Sequence, residues 1–282
     1  MKYCVPYHKG FKYERDIDEI IVPFNDSLGF FKALIEKERL HHSRIILEIQ
    51  DTKNFYLDRE DYYPMFSELQ LNHAEIHFAL LFDKYHDSVK DLYEELKQRK
   101  IEFFFSTYVR DWDAFYGLAS VGVSDMYIVE TLAFELNLLG PVAREKGISL
   151  RVFANVCQAS WVKNNTLKSF FIRPEDVYLY EPFVDVIEFY GDQNIQELMY
   201  KVYAKDGKWY GNLKEIINGL EIDLDSRHIL PVFATARIAC GKKCLKGHPC
   251  RICDRIVETS KIMKENDIYV KIRKPLKETT EE

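Results

Sequence analysis

The sequence predicts an α/β fold of the (β/α)8, TIM-barrel-like type with a cysteine cluster toward its C-terminus. Three features point there. Apolar runs of strand length alternate with amphipathic stretches of helical period, eight such runs can be counted, and 282 residues match the size of one such barrel. The strand candidates are residues 19–24, 44–49, 76–82, 102–108, 125–129, 150–156, 184–189 and 228–233. Most are near-continuous apolar runs, as expected where both faces of a parallel sheet are covered.

Helix candidates 28–39, 88–99, 112–121 and 132–146 lie between them, with apolar residues three and four apart. Gly122 and Gly147 follow two of these stretches in the position of a left-handed cap. An open dinucleotide-binding sheet is the competing architecture. It loses weight because Asn25-Asp26-Ser27-Leu28-Gly29 follows the first candidate strand where a glycine-rich phosphate loop would stand. The rhythm breaks at 158–181 and 204–225, which read as insertions over one barrel end. The expected organisation is therefore a barrel domain over 1–239, followed by a cysteine-rich loop, a helix (255–266) and a short strand (268–272) within 240–282. The tail 277–282 is expected to fray.

Composition narrows the function. The chain has 39 basic and 45 acidic residues, a net charge of −6 and both signs spread along its length, so it lacks a polycationic nucleic-acid footprint. A local basic group, Lys242, Lys243, Lys246, His248, Arg251 and Arg255, surrounds the late cysteines and could hold an anion or lie in a solvated loop. The opening Met1-Lys2-Tyr3-Cys4-Val5-Pro6 has no charged and apolar leader pattern, and no window has the length of a membrane span, so a cytoplasmic protein is expected.

The sharpest local signal is Cys240-x3-Cys244-x5-Cys250-x2-Cys253, with Gly241, Gly247 and Pro249 supplying turns. Four thiolates so close repel one another unless a cation neutralises them, so this group is the candidate metal site. A [4Fe–4S] iron-sulfur cluster takes four thiolates, and structural zinc takes four sulfur or nitrogen ligands, with His248 available in place of one cysteine. Both remain open from spacing. Cys157 stands immediately after the 150–156 run and is either a ligand, a nucleophile or a buried apolar thiol.

Polar side chains inside or ending apolar strands must be paired or used. Glu48, Glu130, Asn155, Glu188 and Arg237 are of this kind, and in a barrel they would converge on the mouth where active sites lie. A structural ion-pair role is the alternative for each charge. No Gly-x-Ser-x-Gly elbow, His-Glu-x-x-His helix or Gly-x4-Gly-Lys run occurs.

Two segments resemble the collagenase-like peptidase U-32 family, whose relatives include oxygen-independent ubiquinone- and RNA-hydroxylation proteins. One is Ser149-Leu150-Arg151-Val152-Phe153-Ala154-Asn155-Val156-Cys157, like that family's strand ending at a cluster cysteine. The other runs from Ile172-Arg173-Pro174-Glu175-Asp176 through Tyr180-Glu181-Pro182 to Glu188-Phe189, like the segment leading into a strand with an acidic end. The comparison covers about half the chain, 111–254, and departs where Gln158-Ala159-Ser160-Trp161 stands in place of the family's second cysteine.

The resemblance implies a barrel, a four-iron cluster and hydroxylation without dioxygen. On that reading Cys240, Cys244, Cys250 and Cys253 hold the cluster, Glu48, Glu130, Asn155 and Glu188 are the catalytic set, and Arg173 or Arg237 binds an anionic part of the substrate. The substrate would be an RNA base or a quinone-like aromatic ring. Two other readings stand beside it: a zinc-binding interaction protein that joins a partner subunit in a larger assembly, and a peptidase.

Overall fold

A computed structural model of the chain describes residues 1–8, 17–23, 33–34, 44–49, 60, 62–67, 76–80, 87–101, 103–104, 106–120, 122–130, 132–157, 167, 169–240 and 251–270. The chain divides into two units. One comprises Met1–Leu132, Gly140–Val152 and Asp185–Glu188, the other Ala133–Leu139, Phe153–Val184 and Phe189–Glu282.

The first unit is organised by strands. These are β1 (Lys2–Pro6), β2 (Glu19–Pro23), β3 (Arg44–Ile49), β4 (Ile76–Leu80), β5 (Phe103–Phe104), β6 (Ser106–Val109), β7 (Asp125–Ile128), β8 (Ser149–Phe153) and β9 (Val186–Glu188). Their neighbour order is β5-β4-β3-β2-β1-β9-β8-β7-β6, and the registers from β5 to β9 through β1, and from β6 to β8, are parallel. The strands form a curled half-barrel of α/β type, compatible with a TIM-like fold. Their sequences explain the arrangement. Ile20, Val22, Ile45, Leu47, Met126, Ile128, Leu150 and Val152 occupy one parity and are all buried, so the strands are covered on that face. On the other parity, Cys4, Ile21, Ile46 and Val186 pack into one apolar cluster.

The helices Asp87–Gln98, Trp112–Ser120 and Leu136–Glu145 fall on expected helical stretches. The two predicted glycine caps also form. Gly122 and Gly147 have φ of 86° and 68°, and after Gly147 the Ile148 N–H donates back to the Ala143 carbonyl at 2.8 Å, closing the helix end.

Two expectations about strands are corrected. Lys2–Pro6 is a strand, paired with both β2 and β9, although only Cys4 and Val5 there are strongly buried. Residues 228–233 are not a strand: Ser226–His228 is a 3-10 turn and Val232–Ile238 is an α-helix. Pro231 supplies the reason, since it lies just before the helix, where its fixed φ and missing N–H are tolerated.

In the second unit, Pro174–Asp176 is a 3-10 turn followed by the helix Val177–Tyr180, and the helix Gln193–Tyr200 continues as a π-turn over Lys201–Asp206. The helix Gln193–Tyr200 is capped at its N-terminus by Asp192, which accepts from the Ile195 N–H at 3.0 Å. The expected late helix runs over Ile252–Glu265. Of the proposed strand 268–272, Ile268–Val270 are not in a strand and the rest lies outside the described residues, as do 158–166 of the first proposed insertion.

Candidate functional site

Side chains alternate across a strand with period two, so register decides which polar residues share a face. Cys4 stands opposite both Glu19 and Glu188, Glu19 opposite Arg44, and Tyr127 opposite Arg151. This puts a group of ionisable residues on the same face of the sheet as the Cys4 cluster. Arg151 is its centre: 1% exposed, with Nη1 2.8 Å from Glu19 Oε2 and 3.1 Å from Asp125 Oδ2. Glu19 also meets Arg44 Nη1 at 2.8 Å.

The two carboxylates on Arg151 respond differently. Burial acts to raise Glu19, but Arg151 and Arg44 together outweigh it and hold the carboxyl below its ordinary value. At Asp125 burial, with the neighbouring Glu19 adding to it, prevails over Arg151 and Arg44 and raises the carboxyl. Arg151 still has buried Nε and Nη2 atoms without a hydrogen-bond partner among the described residues.

Further along the strands lies the group best suited to chemistry. The Tyr127 hydroxyl donates to Glu188 Oε2 at 2.5 Å, both residues being buried. Burial pushes the Glu188 carboxyl up to about 7, opposed by Arg151 and the Tyr127 hydrogen bond, with Glu48 and Glu19 adding to the rise. Burial and the adjacent Glu188 raise Tyr127 well above the ordinary phenol range, so it remains a protonated donor at neutral pH. The Tyr108 ring lies 5.5 Å from that of Tyr127. Glu188 is the last residue of β9 and Glu48 the last but one of β3, at the C-terminal strand ends where parallel α/β sheets carry their chemistry. A carboxyl that titrates near neutrality, oriented by a phenol, can give or take a proton.

The structure thus associates Glu188 and Glu48 electrostatically, and it gives the other predicted residues individual settings. Glu130, two residues beyond β7, has φ of 50° and meets Arg110 Nε at 3.4 Å. In the second unit, Asn155 is fully engaged: its Nδ2 donates to the Tyr190 carbonyl and its Oδ1 accepts the Tyr190 N–H, both at 2.8 Å. Arg173 is balanced by Asp176, at 2.5 Å from Nε, and by Glu175, at 3.2 Å from Nη1. Arg237 donates through Nη2 to the Ser169 carbonyl.

Cys240 follows the helix Val232–Ile238, and Cys253 lies in the first turn of the helix Ile252–Glu265 with Sγ 3.6 Å from the Leu167 carbonyl. Both are half-buried and outside any disulfide. Cys244, Cys250 and His248 lie outside the described residues, and among those described no three His, Cys, Asp or Glu side chains gather as metal ligands. Cys157 is pushed up to about 11 by burial, against Arg237 and the Ser169 hydroxyl. Such a thiol is protonated at neutral pH and poorly suited to nucleophilic attack.

Sequence reasoning missed Cys4, Glu19, Asp125, Tyr127 and Arg151. The available signal was strand parity: Arg151 interrupts the apolar run of β8, and Asp125 and Tyr127 share one parity of β7. No helix among the described residues is long and apolar enough to cross a membrane. No protein-family model matches the chain, and no curated protein matches it.

Proposed function

We propose that the chain is an enzyme in which Glu188 transfers a proton to or from the substrate at the C-terminal strand ends of a TIM-type barrel. One observation carries this reading: a buried carboxyl at a strand end, held by the Tyr127 hydroxyl at 2.5 Å and titrating near 7, with a second carboxylate, Glu48, in its field. Tyr127 fixes which Glu188 oxygen is free, and Glu48 sets the charge Glu188 feels as it loses its proton. Eightfold closure is part of the proposal. Its support is that β5 and β6 stand at opposite ends of the strand order but are separated by a single residue of the chain.

The U-32 resemblance supplies the reaction class: hydroxylation of an RNA base or aromatic ring without dioxygen. Cys240, Cys244, Cys250 and Cys253 would hold a [4Fe–4S] cluster, which when bound supplies one-electron chemistry. The two described thiols suit ligation, being half-buried and unbridged on either side of one short segment, unlike Cys4 in the apolar core. The high pKa of Cys157 weighs against a thiol peptidase.

The test is anaerobic expression in a host, followed by metal analysis of the protein and mass spectrometry of host nucleosides and quinones. Four irons per chain and a new oxygen-bearing nucleoside or quinone, absent with Glu188→Gln, are expected. Stoichiometric zinc with no new product would instead indicate the interaction-module reading. A product that persists undiminished in Glu188→Gln would remove Glu188 from the reaction.

A further inference from the structure

We propose that Arg151 is a positioning residue for the Glu188 reaction: lying over the Tyr127 ring, it keeps the phenol aimed at the carboxyl and supplies the positive charge that faces Glu188 once its proton has moved to the substrate. The inference rests on Glu188 being the proton-transfer group. Topology brings the three residues together. β8, which carries Arg151, lies between β9, which carries Glu188, and β7, which carries Tyr127, so the Tyr127 to Glu188 hydrogen bond of 2.5 Å spans the strand of Arg151. Arg151 is in register with Tyr127, and its guanidinium carbon stands 5.3 Å from the centre of that ring. A cation over the face of a phenol is held by the ring's electrons and polarises them, which makes the O–H a stronger donor.

The way Arg151 is held separates this role from a plain ion pair. Nη1 alone meets both Glu19, from β2, and Asp125, from β7. The Nε and Nη2 atoms are buried and have no hydrogen-bond partner among the described residues, so two carboxylates fix the guanidinium without using most of its donors. In buried surroundings its charge acts on its neighbours with little screening. The charged and titratable groups sharing this face with Glu188 are Cys4 from β1, Glu19 from β2, Arg44 and Glu48 from β3, Asp125 and Tyr127 from β7, and Arg151 from β8. Burial keeps Cys4 a neutral thiol, and Arg44 is engaged with Glu19. Burial is also the main force raising Glu188; Glu48 and Glu19 add to the rise, and Arg151 is the cation that opposes it. When the proton passes from Glu188 to a substrate atom, the bonding pair stays on the carboxylate, and Arg151 and the Tyr127 hydroxyl are already in place to meet that charge. Neither has to move, which is the condition for preorganised stabilisation.

The test reads the Glu188 carboxyl directly, by NMR titration of the full chain isotopically labelled at its glutamate carboxyls, the Glu188 resonance being the one missing from Glu188→Gln. The parent midpoint is expected near pH 7. Arg151→Met removes the cation and makes Glu188 a weaker acid by about tenfold or more. Arg151→Lys keeps a charge but not the flat guanidinium over the ring, and weakens the acid about threefold. Glu19→Gln removes an anion and moves the midpoint the opposite way, to lower pH. If Arg151→Met does not fold, the chain carrying both Arg151→Met and Glu19→Gln is compared with Glu19→Gln alone, and an acid about tenfold weaker is again expected; where neither folds, Arg151→Lys decides. A Glu188 midpoint unmoved by the loss of Arg151, or moved upward by Glu19→Gln, overturns the role and leaves Arg151 a structural ion-pair residue. Titration needs no turnover, so the two failures are distinct: an unmoved midpoint removes Arg151 from the mechanism, whereas a product undiminished in Glu188→Gln removes the proton-transfer reading on which it rests.

Discussion

Glu188 makes stability depend on pH with a defined sign. Its carboxyl is raised from an ordinary 4.5 to about 7 by burial, so the folded chain binds that proton more tightly than the unfolded chain does. The stabilisation is complete below the ordinary value and is lost as pH rises through about 7, by on the order of 3 kcal/mol. Glu188→Gln is neutral at every pH and can still accept from the Tyr127 hydroxyl. We expect it to melt several degrees above the parent chain at pH 8 and close to it at pH 5. A gap that does not change with pH would mean that the carboxyl titrates normally. Arg151 gives the opposite lesson: Arg151→Met leaves Glu19 and Asp125 buried without their shared cation and should cost about 3–5 kcal/mol in urea unfolding. A loss under about 1 kcal/mol would show that the network contributes little. Glu188 and Glu48 were legible in the sequence as acids ending apolar runs. Tyr127 and Arg151 were not picked out, because an aromatic in a strand reads as core and a lone arginine reads as solvated until register puts both on the inner polar face.

At the level of elements, apolar runs located the strands from β2 to β9 because a buried parallel strand needs little else. Lys2–Pro6 escaped notice because its outer residues are polar or proline and only its pairing with β2 and β9 makes it a strand. The His228-Ile229-Leu230-Pro231-Val232-Phe233 run misled for the converse reason: its β-branched and apolar residues outweighed the helix-start signal of Pro231. Glycine positions distinguish backbone need from steric need. Gly147 has φ of 68° and open space where a Cβ would stand, so Gly147→Ala should cost about 1 kcal/mol. Gly191 has φ of 135°, and a Cβ there would lie 2.7 Å from the Ile195 side chain. Gly191→Ala should therefore cost more, about 2–3 kcal/mol. Urea unfolding of the two variants side by side checks the order, and equal losses would mean that Ile195 moves away freely.

At the scale of the whole sheet, composition and strand count pointed to a barrel, but closure depends on one short strand and periodicity cannot reveal it. β5 pairs with β4 through Phe103 and Phe104, and β6 pairs with β7 from Ser106 to Val109. The Val109 carbonyl accepts from the Val129 N–H at 3.1 Å, so Thr107 and Val109 direct their main-chain groups toward β7. Ser106 and Tyr108, one residue out of phase, direct theirs to the other side. In an open sheet those two N–H groups would face an unpaired edge, a template for association that proteins avoid leaving exposed. In a closed barrel they bond to β4. Amide hydrogen exchange separates the alternatives: closure predicts Ser106 and Tyr108 amides protected to the same degree as Thr107 and Val109, with exchange rates within about tenfold. If Thr107 and Val109 are protected while Ser106 and Tyr108 exchange like exposed amides, the sheet ends at β6, and Glu188 works at the end of an open parallel sheet.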